Sequence, residues 1–188
     1  VAHREARAVH KLRRLIHRAL RHRRPTVMYD SVDVTQIPSN AKAVAGYVGG
    51  AWPTFHILIA RFPRAQRLSI AVNSDENAQC LDIEPGDASP ADAPAWVKRQ
   101  RARGVKRPVV YASVSAMDTV LGELEAHGID RGEVRIWTAH YGHGKHRCGP
   151  HTCGEMHRTT ADATQWRDDA LGRTLDESTL SESFFNPK

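Results

Sequence analysis

The segment Leu81-Asp82-Ile83-Glu84 places two carboxylates two residues apart at the end of an apolar run. On an extended strand residues i and i+2 point to the same side, so both acids share one face. Neighbouring carboxylates push their pKa values apart, and one stays protonated while the other ionises. Glycosidic bond cleavage needs that combination of proton donor and base or nucleophile. The plainer alternative is a solvated acid pair at a loop start, or one that caps the helix that follows. More acids end other apolar runs: Asp30 and Asp33 follow Val27-Met28-Tyr29, and Asp176 lies in Thr174-Leu-Asp-Glu-Ser178. Aromatic and polar residues stand at similar places: Tyr47 with Trp52 beyond it, Tyr111 and Ser113, Trp137, Thr138, His140 and Tyr141, then Gln165 and Trp166. Sugar rings stack their apolar faces on aromatic rings while acids and amides hold the hydroxyls. Each aromatic taken alone reads equally as a core residue; the argument rests on their convergence.

A second group is compositional. His140, His143, His146, Cys148, His151, Cys153 and His157 crowd into a Gly/His/Cys-rich stretch. Zinc can be argued from Cys148, Cys153 and two histidines, and free thiols are a further alternative. With no second Cys pair, the plainer reading is a Cys148–Cys153 disulfide that pins the loop, as an oxidising compartment allows. Cys80 reads as a small core residue. No metal or cofactor is therefore expected.

These residues need a scaffold that gathers strand ends. Apolar runs at 27–29, 45–48, 68–72, 79–84, 108–112, 134–139 and 161–166 read as strands. Helices are expected over 39–44, over 54–62 with Thr54 as a candidate N-cap, over 89–103 and over 115–127. In the third, Ser89 caps, Pro90 takes the first position and Gly104 ends the helix. Strands alternating with helices imply parallel β–α units. The expected fold is α/β: a compact (β/α) barrel, TIM-barrel-like with some helices short or missing, over residues 26–188. In such a barrel reacting groups sit at the carboxyl ends of strands. An open doubly wound sheet is the alternative. No Gly-rich phosphate loop follows the first strand to support it.

Residues 1–25 form a separate arm. Val9, Leu12, Ile16, Ala19 and Leu20 make one apolar stripe at helical period, and Pro25 closes it. The arm reads as a basic amphipathic helix that docks on another chain or domain, a solvated terminal helix, or a contact for nucleic acid or an anionic surface. The full 188 residues carry a net charge of +6. The first 24 contribute nine Lys/Arg against Glu5 alone, so the rest is slightly acidic and offers no basic groove for nucleic acid. No apolar run approaches the roughly 18–20 residues of a membrane span. The chain begins with Val1, consistent with a processed product or a piece of a longer polypeptide.

Four segments together resemble the glycoside-hydrolase-like barrels related to glycoside hydrolase family 25, the lysozymes of phages and bacteria. Val32-Asp-Val-Thr-Gln36 is similar to the opening Ile-Asp-Val-Ser of that family, and Leu81-Asp-Ile-Glu84 to its Asp-x-Glu strand. Trp137-Thr-Ala-His-Tyr141 resembles its Trp-x-Ala-x-Tyr strand, and Thr164-Gln-Trp166 with Leu175-Asp176 its closing Gln-Tyr and Val-Asp pairs. Pro85-Gly86-Asp87 directly after Glu84 departs from the pattern and points to the divergent branch. The resemblance implies Glu84 as general acid and Asp82 as the group that positions or stabilises the reacting sugar. Asp33 (or Asp30) and Asp176 complete the acidic site. It implies peptidoglycan as substrate and an extracellular or virion location, in a phage tail or lysin or a secreted bacterial protein. The alternative is a non-catalytic structural or glycan-binding module of a larger assembly, docked through residues 1–24.

Overall fold

The computed structural model describes residues 25–154, 156 and 158–186. The basic helix expected over residues 1–24 lies outside the described residues, as does His157. Eight strands close a barrel in chain order: β1 (Val27–Asp30), β2 (Ala43–Tyr47), β3 (Gln66–Ala71), β4 (Cys80–Asp82), β5 (Val109–Ser113), β6 (Arg135–Ala139), β7 (Ala163–Arg167) and β8 (Asp176–Leu180). Neighbours from β1 to β7 pair in parallel, and β8 runs antiparallel to both β7 and β1.

Among the described residues there are three α-helices: α1 (Phe55–Arg61), α2 (Ala93–Ala102) and α3 (Val114–Ala126). The expected closed α/β barrel is therefore present, but the helix-flanked ring of a TIM barrel is not. The β1–β2 and β7–β8 connections carry single 3-10 turns, and β3–β4 and β6–β7 carry loops. These short connections let so short a chain close a whole barrel.

Where helices do form, local chemistry starts and stops them. Asp92 accepts hydrogen bonds from the N–H (2.8 Å) and hydroxyl (2.6 Å) of Ser89, at a 3-10 turn over Pro90–Asp92 that leads into α2. Gly104, at φ +94°, ends that helix in a conformation L side chains rarely adopt. Ser113 caps α3 by accepting from the N–H of Ala116, which explains its place at a strand end.

Two expectations need correction. The helix over 39–44 does not form. A turn at Pro38–Ala41 leads directly into β2, where Ala43 and Val44 are fully buried and Val44 is paired on both sides. Six residues cannot meet the cost of helix nucleation against that burial. Thr54 precedes α1 but does not cap it, because its hydroxyl accepts instead from the Tyr47 N–H at 3.2 Å.

The barrel interior takes alternate residues of successive strands. Met28, Ala43, Ala45, Leu68, Ile70, Cys80, Val109, Tyr111, Trp137, Ala163 and Leu180 form one buried cluster with Phe184 and without a helix residue. The small residues leave room for Trp137, whose indole N–H donates to Ser178 Oγ at 2.9 Å. Arg135, the first residue of β6, is buried at the opposite end from the strand carboxyl termini. There it donates to the carbonyls of Arg107 and Phe184 and lies over the Phe184 ring. Helices α2 and α3 cover the outer face through a second cluster that includes Trp96, Val97, Met117, Val120 and Leu124.

Helix α1 packs so closely on β2 that Gly46 is obligatory. A Cβ there would stand 2.5 Å from Leu58 Cδ1 and 2.9 Å from Thr54 Oγ1. Gly46→Ala should destabilise the fold by about 1–3 kcal/mol, the usual cost of overpacking. A lower urea midpoint with an unchanged slope is the expected reading. Unchanged stability would show that α1 is not held against the barrel wall.

Candidate active site

Strand periodicity carries the interior pattern out to one mouth. Along β1, Met28 is followed two residues later by Asp30; along β2, Ala45 by Tyr47. On β4 Cys80 leads to Asp82, on β5 Val109 to Tyr111, and on β7 Ala163 to Gln165. β8 runs the other way, so its first residue, Asp176, stands at the same end, paired with Asp30. These residues, with Ile70, Glu84, Trp137 and Tyr141, line a cavity of about 150 Å³. Glu84 lies just past β4, whose ladder continues through the Ile83 N–H to the Tyr111 carbonyl. That extension keeps Glu84 on the side of Asp82.

Burial dominates the electrostatics. Asp30 is pushed well above the usual carboxylate range, first by desolvation and then by the neighbouring Asp176. The two carboxyls share a side-chain hydrogen bond, which helps hold Asp176 at about 6 against burial. Burial raises Asp82 to about 8, with Glu84 as the next cause. Glu84 is raised by desolvation and then by Asp87. One carboxylate oxygen each of Asp30 and Asp82 is buried with no hydrogen-bond partner among the described residues. Burial also raises the phenols of Tyr47, Tyr111 and Tyr141, so all three are neutral donors at pH 7. The Tyr141 hydroxyl accepts from Gln165 Nε2 at 2.9 Å. The mouth thus combines protonated carboxyls with one acid poised to ionise near neutrality.

Several expected site residues lie elsewhere. Asp33 is exposed and caps the 3-10 turn at Val34–Gln36. It accepts from the N–H and hydroxyl of Thr35 and from Gln36 Nε2, bonds that lower its pKa. Asp30 takes the place at the mouth. Trp52 is 59% exposed on the loop after β2, outside the cavity lining. Trp166 follows Gln165 on β7 and so takes the opposite face, stacked with the Arg167 guanidinium. His140 turns away from the acids towards Cys148 and Cys153. Those two cysteines are free thiols rather than the expected disulfide, each facing an imidazole nitrogen. Thr138 is wholly buried, its hydroxyl 3.3 Å from that of Thr164. Two contributors, Ile70 in the lining and Ser178 beneath Trp137, were not singled out from the sequence; strand alternation on β3 and β8 is the signal that finds them.

Asp33→Ala should lower stability, because the turn loses its N-cap bonds. Any activity of the mouth should be untouched. A loss of turnover larger than the loss of folded protein would return Asp33 to the site.

No protein-family model and no curated protein matches the chain. Among solved structures, the chain is similar to an uncharacterized B. stearothermophilus protein known from a 1.07 Å crystal structure. The two share 15% sequence identity over 84% of this chain and 96% of that one, with a TM-score of 0.57. At that identity the likeness is one of fold.

Proposed function

We propose that the barrel mouth hydrolyses glycosidic bonds of a bacterial cell-wall glycan, with Glu84 as the proton donor. One observation carries the reading: Asp30, Asp82, Glu84 and Asp176 converge in a single cavity, each with its pKa raised by burial. A carboxyl whose pKa is raised by burial keeps its proton to higher pH than a free one, and a glycosidic oxygen needs a proton as it leaves. Asp30 and Asp82 are buried, whereas Glu84 is half-buried at the rim, so Glu84 is the donor a bound glycan reaches. Asp176 ionises above about pH 6 and serves as base or nucleophile, steadied by its hydrogen bond to Asp30. Asp82, Tyr47 and Tyr111 remain neutral and hold sugar hydroxyls. Peptidoglycan as the substrate, and an extracellular or virion location with it, rest on the resemblance of the four sequence segments to glycoside hydrolase family 25.

The exposed Trp52 sits on the loop that leaves the mouth end of β2, where a sugar face can stack. The same ring favours a second reading, a glycan-binding module of a larger assembly that does not cleave. Purified peptidoglycan separates the two. Hydrolysis should release new reducing ends with a bell-shaped pH dependence. The acid limb should fall near pH 6, where Asp176 takes up its proton, and the alkaline limb where the proton donor is lost. Co-sedimentation with the glycan and no reducing ends at any pH would retire hydrolysis in favour of the binding module.

A further inference from the structure

Among its described residues, the β6–β7 connection (140–162) has no helix or strand, yet its Cys148 and Cys153 are buried. Loops of that length inside a compact domain need something to order them. His140 Nδ1, His146 Nε2, Cys148 Sγ and Cys153 Sγ all lie within 4.8 Å of one another. We propose that these four atoms bind one Zn²⁺ in a closed, structural site that clips this loop to the end of β6.

The geometry fits a tetrahedron. With Zn–S of about 2.3 Å and Zn–N of about 2.0–2.1 Å, ligand atoms lie about 3.3 Å apart for N to N and about 3.5 Å for N to S. The two imidazole nitrogens are 3.2 Å apart. His140 Nδ1 lies 3.1 Å from Cys153 Sγ and 3.4 Å from Cys148 Sγ, and His146 Nε2 lies 3.4 Å from Cys148 Sγ. The two sulfurs, 2.7 Å apart, are closer than a shared zinc leaves them, so the cation must spread them by about 1 Å. Two converging imidazole nitrogens distinguish this arrangement from a disulfide, which gives them nothing to coordinate.

The surroundings fit as well. His146 Nδ1 sits 2.7 Å from the Gly144 carbonyl oxygen. Donating a proton there fixes the tautomer that turns the Nε2 lone pair towards the sulfurs, the usual partner arrangement of a ligating histidine. The Cys148 N–H donates to Thr164 Oγ1 and the Cys153 N–H to the Gly149 carbonyl, both at 2.9 Å, which fixes the two thiols from the backbone. Binding releases two thiol protons, and Zn²⁺ with two thiolates and two neutral imidazoles has no net charge, as a buried site requires. Two sulfur and two nitrogen donors in a tetrahedron select zinc among the common divalent ions. Four protein ligands leave no open position for water, so the ion holds structure. His140 adjoins Tyr141, whose hydroxyl meets Gln165 at the acidic mouth, so the clip also steadies that wall.

Full-length chain purified under reducing conditions after exposure to zinc should hold about one Zn²⁺ per molecule, and a chelator should lower its melting temperature. Replacement by Co²⁺ on the wild-type chain should give the intense visible bands and thiolate charge-transfer absorption of a tetrahedral S₂N₂ site. His146→Ala and Cys148→Ser should each cut zinc content to below about a tenth per chain, the scale expected when a ligand is lost from a closed site. His143→Ala, which removes a ring stacked on His140 but not among the four, should keep full content. The proposal is overturned by wild-type chain that takes up neither zinc nor cobalt, whether its two thiols titrate freely or return only after reduction of a disulfide. Equal loss of zinc from the His143 variant would overturn the ligand set.

Discussion

Glu84→Gln should lower peptidoglycan hydrolysis by roughly 10²–10⁴-fold and leave the fold intact. Glutamine keeps the shape of the side chain but has no proton to deliver to the leaving oxygen. Glu84 is half-buried at the rim, where an amide of the same shape is accommodated, so melting should barely move. Binding to the glycan should survive, because Trp52, Tyr111 and the buried acids are untouched. Reducing-end release by the variant at or near the wild-type rate would move the proton donor to another carboxyl, with Asp82 next in line.

Asp82→Asn should differ in stability: lost turnover with gained stability. Asp82 is buried, with one oxygen unpartnered and its pKa raised to about 8. An unfolded aspartate titrates near 3.9. Below that pH both states carry the proton and burial of the neutral acid has no ionisation cost. As pH rises towards 8 the unfolded state gives up its proton while the folded state keeps it, so wild-type stability falls throughout this window. Asparagine has no proton to lose. Wild type and variant should match near pH 4, and the variant should be more stable at pH 8 by on the order of 5 kcal/mol. Urea unfolding across that range gives the reading. Asp30 and Asp176 should leave a residual slope in the variant, since they too are raised. A wild-type stability that is flat from pH 4 to 8 would contradict the burial of protonated acids at the mouth.

Why sequence spacing found some of these acids and misplaced others follows from strand geometry. Asp82 and Glu84 were legible because two acids at i and i+2 behind an apolar run can only share a face. Asp30 and Asp33 are three apart, so spacing alone does not choose between them; the choice is made by the end of β1 at Asp30 and by the capping bonds of Asp33. Gln165 and Trp166 are adjacent on one strand, so both cannot face inward, and only the smaller amide does. β8 escaped detection because Asp176-Glu-Ser-Thr-Leu180 looks like a loop. Two of its inward residues are polar, Asp176 facing the mouth and Ser178 holding the Trp137 indole, and only Leu180 is apolar. The helix over 39–44 failed for the converse reason: its small apolar residues serve a strand buried on both sides. Histidine and cysteine types were visible in residues 140–157, but the folding of His140 and His146 back onto the two thiols is a tertiary event with no local period.

The most direct measurement is a crystal structure of the Glu84→Gln variant with a peptidoglycan-derived oligosaccharide. The account predicts the glycan across the mouth, with its scissile oxygen within hydrogen-bonding reach of residue 84 and the anomeric carbon of that bond facing Asp176. An oligosaccharide bound away from Asp82, residue 84 and Asp176, or none bound at concentrations that saturate the variant in solution, would contradict it.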